Sequence, residues 1–368
     1  MSRDAIVIGA GVIGCAVSYE LARRGASVEL LDPRSPGQGA TQASAGILAP
    51  YIEARETNPL LPLTVRSLEL YDEFIGRVTA DSGIEVGYRR TGSLELAIDG
   101  SELNRLERAA EVLAGRGMSA RLLNRDALRA EEPHLAEDVI GALLVSAHGF
   151  VAAGELTRAL MGAARRRGAH VVEACRADRI SRADGDIVVD TDRGPRRARA
   201  VVLAAGCWSG GIDRPGTPRV PVRPVRGQLL QLAWDHQKLH RVVWGGRCYV
   251  VPWPDGTVLV GATVEEAGFD ERATVAGVRD LLEAACELVP RIWTAAFRGA
   301  RAGLRPAMSD ELPVIGPSGT DAGVIYATGH YRNGILLAPL TAKAVADAVL
   351  DERVDPLLQS VSPSRYGL

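Results

Sequence analysis

The stretch from Asp4 to Asp32 constrains this chain more than any other. Ala5-Ile-Val-Ile8 is an apolar run of the length of a buried parallel strand, and Gly9-Ala-Gly11-Val-Ile-Gly14 follows it at once. In this G-x-G-x-x-G pattern each glycine has its own task. Gly9 permits a tight turn, Gly11 leaves the backbone bare for a pyrophosphate, and Gly14 lets the next helix press against the strand. Cys15 to Arg24 continues as that helix, and Gly25 stops it. Its N-terminus offers N–H groups and a partial positive charge to an anion. Ser27 to Leu31 forms a second strand. Asp32 ends it, 18 positions after Gly14, where ribose hydroxyls are expected. A β-α-β unit built to hold a dinucleotide follows; these residues leave open whether the dinucleotide is NAD or FAD.

With 368 residues the chain is long enough for two cores. A net charge of −2 provides no field for nucleic acid. The basic clusters at Arg165-Arg166-Arg167 and Arg193 to Arg199 are read as solvated surface. The five cysteines, Cys15, Cys175, Cys207, Cys248 and Cys286, are dispersed and lack metal-ligand spacing, so no metal site is expected and a reducing cytoplasm fits. The apolar N-terminus is used up by strand and helix and has no basic segment before it, which argues against a signal peptide. No apolar run approaches the roughly 20 residues that span a bilayer, so no membrane association is expected.

Further along, Pro33 to Pro50 is a loop of small residues, suited to lie against a flat ligand. Leu63 to Ile75 has the spacing of one amphipathic helix, Tyr88 to Ile98 reads as strands broken at Gly92, and helices are expected at Ser101–Arg116, Asn124–Glu132 and Glu155–Arg167. Leu143 to Val145 and Val171 to Glu173 read as strands. Arg176–Arg182, Ile187–Thr191 and Arg196–Arg199 read as three short strands with turns at Asp184-Gly185 and Arg193-Gly194, before a separate apolar strand at Ala200-Val-Val-Leu-Ala-Ala-Gly206. Pro215 to Pro224 marks a crossing between domains. Strands of an antiparallel sheet are expected at Arg226–Leu232, Cys248–Pro252 and Val258–Thr263, then a helix at Val275–Val289, the run Pro313–Gly316, a strand at Gly323–Ala327, and a closing helix at Leu340–Leu350.

With these pieces placed, the chain resembles glycine oxidases, in the D-amino-acid oxidase and sarcosine oxidase superfamily of FAD-dependent amine oxidases. Gly39 to Pro50, Arg89-Arg-Thr-Gly-Ser93, Gly261-Ala-Thr263, Gly303 to Pro306 and Gly329 to Pro339 carry the resemblance, in this order after the dinucleotide fingerprint. It implies an α/β fold: a Rossmann-like FAD-binding domain of the glutathione-reductase type, in which a β-meander replaces a crossover helix, and a second α+β substrate domain on an antiparallel sheet. The expected division is residues 1–84, 148–219 and 304–368 for FAD, and 85–147 and 220–303 for substrate.

Carried over residue by residue, the resemblance puts Gly9, Gly11, Val12, Ile13 and Gly14 at the FAD pyrophosphate and Asp32 at the ribose. It puts Ala40, Thr41, Ala45, Gly46 and Ile47 along the flavin side, Ala177 at the adenine, and Gly206 and Trp208 at the cofactor's back. His330, Tyr331, Arg332, Asn333, Gly334, Ile335 and Leu336 are expected to wrap the isoalloxazine, with a helix N-terminus facing the ring. No cysteine follows Cys286, so the FAD is expected to be held non-covalently.

For substrate, the resemblance implies Arg305 as partner of an amino-acid carboxylate, with Tyr249 and Arg332 beside it; a planar, permanently charged guanidinium suits that task. Arg247 stands where the family has His and Val264 where it has a bulkier Met, departures that bear on substrate choice. The implied reaction is oxidative deamination of glycine or a small or N-substituted glycine. Hydride passes from Cα to flavin N5, O2 is reduced to H2O2, and the imine hydrolyses to a 2-oxo acid and ammonia or an amine. D-Amino-acid oxidation, or an FAD dehydrogenase with another acceptor, is the alternative. No histidine base is required, so His148 and His330 are read as structural. Thiamine biosynthesis is the usual setting of the family, and a homo-oligomer, a tetramer, is its usual state.

Overall fold

A computed structural model of the chain describes residues 2–52, 58–234, 239–253 and 255–368. The opening β-α-β unit is present as the strand Arg3–Ile8, the helix Val12–Arg23 and the strand Val28–Asp32. The apolar character of the two strands has a direct cause. Parallel strands covered on both faces alternate between two cores rather than between core and water. Ala5, Val7, Val28 and Leu30 face a core shared with the helices Val12–Arg23, Ala153–Arg166 and Gly334–Leu350. Ile6, Ile8 and Leu31 face a second core with Ile180, Ile187 and Val189.

The parallel strands run in the order His170–Glu173, Val28–Asp32, Arg3–Ile8, Arg196–Leu203, Val324–Thr328. This is the strand order of a nucleotide-binding sheet, whose ligand sites lie beyond the carboxyl ends of the strands. The meander is as expected in its first two strands, Ala177–Ala183 and Asp186–Thr191. The third differs from the reading of two strands. Arg196–Leu203 is continuous, pairing antiparallel with Asp186–Thr191 through Arg196–Ala198 and parallel with Val324–Thr328 through Val201–Leu203. One strand serves both because its two ends face different neighbours on the same edge.

A second eight-stranded sheet runs Ala296–Ala307, Arg223–Ala233, Thr257–Gly261, Tyr249–Pro252, Val242–Trp244, Ser93–Ala97, Gly141–Val145, Ala120–Asn124. It is antiparallel except where Val242–Trp244 runs parallel to Ser93–Ala97. Ile47–Leu48, Gly149–Val151 and Tyr88–Arg89 form a small third sheet between the two. The fold class is therefore the mixed α/β architecture anticipated, with several strands the sequence did not announce.

Two helix readings are corrected. The residues expected as one helix over Leu63 to Ile75 form two, Leu61–Glu69 and Tyr71–Ser82. The closing helix begins at Gly334, not Leu340, and carries Pro339 inside it. The two corrections share one cause. Pro339 has no N–H for the carbonyl of Ile335 four residues back, and the buried Tyr71 hydroxyl donates to that oxygen instead, at 2.5 Å. One residue on, the Leu340 N–H donates to Ser67 Oγ at 3.3 Å. The helix pair around Leu70 thus patches the hydrogen-bond gap that the proline leaves. Tyr71→Phe orphans a buried carbonyl and is expected to lower unfolding free energy by about 1–3 kcal/mol. Urea denaturation measures it, and an unchanged midpoint would show that the hydroxyl contributes nothing.

Candidate functional site

Beyond the carboxyl ends of the parallel strands, and reaching to the antiparallel sheet, lies a cavity of about 930 Å³. Its walls gather nearly every residue singled out in the sequence. Gly9, Gly11, Val12, Ile13 and Asp32 line one end, with Ala177, Gly206 and Trp208. Ala40, Thr41, Ala45, Gly46 and Ile47 line the middle, and His330 through Leu336, Tyr249 and Arg305 complete it. Gly14 is the exception and does not line the cavity. A Cβ there would stand 1.7 Å from the Gly9 carbonyl oxygen, so Gly14 acts by letting helix and strand meet.

Local chemistry explains each placement. The first helix has Gly11 at its N-cap, which has no side chain of its own to cap it. Thr41, on the 3-10 turn Ala40–Ala43, accepts from the Val12 N–H at 3.2 Å and so ties the small-residue loop to the glycine loop. Gly46 sits at φ +66° with its Cα so close to Val151 that a Cβ would fall 1.7 Å from the Val151 oxygen, which holds that loop against the third sheet. Asp32 accepts from the N–H groups of Ala10 at 2.6 Å and Arg34 at 2.7 Å. Burial raises its pKa and these two bonds oppose the rise.

At the other end, Tyr331 adopts φ +47° and donates its N–H to Pro306 O at 2.8 Å, while the Asn333 N–H closes a turn on His330 O at 2.8 Å. That turn launches the last helix from Gly334 with no side chain capping it. A second bare helix N-terminus therefore meets the same cavity. His330 bonds Thr341 Oγ1 through Nε2 at 3.1 Å, and burial pushes its pKa down to about 3. His148 lies outside the cavity. Its Nε2 accepts from the Tyr51 N–H at 3.3 Å, so Nδ1 carries the proton toward Ser93 Oγ at 2.6 Å, and burial again holds its pKa at about 3. Both imidazoles are neutral framework groups.

Arg305 sits on the long strand Ala296–Ala307, opposite Val225. Gly227 on the neighbouring strand makes room for it, since a Cβ there would lie 2.2 Å from Arg305 Nη2. Among the described residues its hydrogen bonds go to backbone carbonyls, Thr263 O at 2.9 Å and Arg226 O at 3.4 Å. Burial lowers its pKa, and Arg332 nearby acts in the same direction. Tyr249 packs on Trp244 with ring centroids 5.0 Å apart, and its hydroxyl lies beside Gly261. Burial raises the Tyr249 pKa while the charges of Arg305 and Arg332 oppose that rise, so both cations act on its hydroxyl. The Arg332 guanidinium stands 5.0 Å from the centre of the Tyr331 ring. Arg247 and Val264 line the cavity too; Arg247 pairs with Glu287 at 2.8 Å and both are exposed, which puts them at the mouth.

The FAD dependent oxidoreductase family profile matches residues 4–348. The chain belongs to that family. Among its relatives is a glycine oxidase of Geobacillus kaustophilus, 34% identical over 94% of this chain and 92% of the relative. A crystal structure of glycine oxidase from the same organism superposes with a TM-score of 0.94 at 34% identity, covering 98% of each chain. A bifunctional protein ThiO/ThiG of Nostoc sp. is 36% identical over 99% of this chain. The chain spans 55% of that protein's length.

The residues present fit the cofactor for which the family is named. The backbone N–H groups at the start of the helices Val12–Arg23 and Gly334–Leu350 would suit a diphosphate and an electron-rich ring edge. Asp32 keeps free lone pairs for ribose hydroxyls. A Cβ on Gly206 would meet nothing within 4 Å, which leaves its backbone open. Cys207 and Cys248 line the cavity, and burial raises both thiols to about 12. No group of three or more metal-ligating side chains occurs among the described residues, and no described helix is long and apolar enough to cross a membrane.

Several residues in the wall or beside it had no signal in the sequence. Arg34 pairs with Glu271 at 2.8 Å across 237 positions. Beneath Arg305, Arg226 and Gln228 both donate to Glu265, and Gln228 donates its N–H to Thr263 Oγ1 at 2.9 Å. These pairs link adjacent strands to a loop and leave no local pattern to read. Gly227 was passed over because a glycine in a strand has several possible reasons.

Proposed function

We propose that this chain oxidises the amine of glycine, or of a small or N-substituted glycine, with FAD as cofactor and O2 as final oxidant. The products are H2O2 and an imine that hydrolyses to a 2-oxo acid and ammonia or an amine. The observation that carries this reading is Arg305: a cation on the wall of the FAD family's cavity, bonded to carbonyls and waiting for an anion. The glycine oxidase relatives support the same substrate class.

In this reading Arg305 holds the substrate carboxylate, and the Tyr249 hydroxyl donates to it as well. Two donors at one end fix the direction in which Cα points, and such positioning is a large share of catalysis. Bound FAD supplies the two-electron acceptor for the Cα hydrogen. His330 and His148 are neutral at working pH and move no proton, so the substrate amine enters unprotonated from solution. Arg332 adds positive potential on the carboxylate side. The walls from Ala40 to Ile47 exclude water from the reacting carbon. Residues 1–84, 148–219 and 304–368 serve the cofactor and residues 85–147 and 220–303 the substrate, and the working enzyme is a cytoplasmic homo-oligomer.

The test is a panel of glycine, sarcosine, D-alanine and D-proline with purified protein, followed as peroxide release. Turnover is expected with glycine or sarcosine. Peroxide from none of the four, with activity restored by a dye acceptor, would replace the oxidase by a dehydrogenase.

A further inference from the structure

Among the described residues, Arg305 is aimed by backbone carbonyls and not by an acid. Its Nη1 donates to Thr263 O at 2.9 Å and to Arg226 O at 3.4 Å. These oxygens belong to two neighbouring stretches of backbone. Arg226 lies on the strand Arg223–Ala233, and the segment 263–265 runs beside it. The Arg226 N–H donates to Glu265 O at 2.9 Å, and the Glu265 N–H to Arg226 O at 3.0 Å. Val264, in the middle of the segment, lines the cavity. Where the segment sits therefore decides where the guanidinium points.

Glu265 holds it there from behind. Arg226 and Gln228 alternate with Val225 and Gly227 along their strand, so their side chains lie on the face away from Arg305. On that face the Glu265 carboxylate collects both. Oε2 accepts from Arg226 Nε at 3.1 Å and from its Nη2, and Oε1 accepts from Gln228 Nε2 at 2.7 Å and from the Thr263 hydroxyl. Thr263 Oγ1 accepts in turn from the Gln228 N–H at 2.9 Å. The Gln228 amide is itself fixed by Thr274, to which Nε2 donates at 2.9 Å and whose N–H donates to Oε1 at 2.8 Å. Burial pushes the Glu265 pKa up, and the bonds from Thr263, Arg226 and Gln228 outweigh it and hold the group below its ordinary value. Charge-assisted bonds of this kind are about twice as strong as neutral ones. Glu265, Arg226 and Gln228 all stand outside the cavity wall.

We propose that Glu265 is a positioning residue for the substrate. Its carboxylate, without touching the cavity, ties the segment 263–265 to the strand Arg223–Ala233 and so aims Arg305 at the substrate carboxylate. The inference rests on Arg305 as that carboxylate's partner, and the experiment separates the two.

Steady-state peroxide assays compare wild type, Glu265→Gln, Arg305→Met and the double variant, with the fastest of glycine, sarcosine, D-alanine and D-proline. Anaerobic bleaching of the flavin replaces peroxide where turnover is too slow to follow. Glu265→Gln is expected to raise KM about tenfold while kcat changes less than about threefold, with FAD content kept. In the Arg305→Met background the same change is expected to lower kcat/KM by less than about twofold, because Glu265 acts through a guanidinium that is gone. Thr263→Val, which loses only the hydroxyl, should raise KM about threefold. An unchanged KM in Glu265→Gln, or in Thr263→Val should the first variant yield no flavoprotein, would overturn the proposal. So would an undiminished loss in the Arg305→Met background, the mark of a residue that supports only the fold. An unchanged KM in Arg305→Met would instead remove Arg305 as the carboxylate's partner.

Discussion

Arg305→Met is expected to raise KM for the amino-acid substrate by about 100- to 10,000-fold, because two charge-assisted hydrogen bonds of about 1.5–3 kcal/mol each are lost. FAD content per mole, read from flavin absorbance, stays at the wild-type level, since Arg305 stands apart from the glycine loop on a strand of the other sheet. Steady-state peroxide assays measure the change in KM. The fold is expected to survive, although the bonds to Thr263 O and Arg226 O are lost. Burial disfavours the charged guanidinium, so an apolar side chain of similar length removes a cost in the empty protein. An unchanged KM together with a lowered melting temperature would make Arg305 a structural residue and end its role as carboxylate partner.

The second large effect is on acid stability. His148 and His330 have pKa values held near 3 by burial, against an ordinary value near 6.5. Between those limits the unfolded chain binds protons that the folded chain refuses. Stability is therefore full above about pH 6.5 and falls as pH drops toward 3, by about 1.4 kcal/mol per pH unit for each histidine. Denaturant midpoints measured from pH 7 to pH 4 should fall steeply. His148→Gln and His330→Gln should each flatten the slope by about one proton, whatever they do to the midpoint at pH 7. Slopes identical to wild type in both variants would show that other groups drive acid unfolding.

The first 32 residues were the most legible part of the chain, because burial on two faces and a turn without side chains each leave a local mark. The cofactor wall was almost as readable. Its parts come in a fixed order along the chain, and Gly14, expected both at the pyrophosphate and in the packing of helix on strand, keeps the packing role and does not line the cavity. The strand Ala296–Ala307 was hidden because Arg298, Gly299, Arg301 and Gly303 interrupt any alternation, although this strand carries Arg305. The start of the last helix was hidden by Pro339, which leaves the Ile335 carbonyl to a hydroxyl 264 positions before it. Arg34 and Glu271 were invisible for the same reason: each supplies half of a feature, and only folding brings the halves together.

The parallel sheet takes its central strands from the beginning, middle and end of the chain, with Arg3–Ile8 beside Arg196–Leu203 and Val324–Thr328 outside that. A growing polypeptide on the ribosome therefore holds the glycine loop early but lacks its outer neighbour and the His330–Leu336 wall until synthesis is nearly over. FAD capture is therefore expected late in the life of each molecule, and fragments released before that point should carry the fingerprint without the ability to turn yellow.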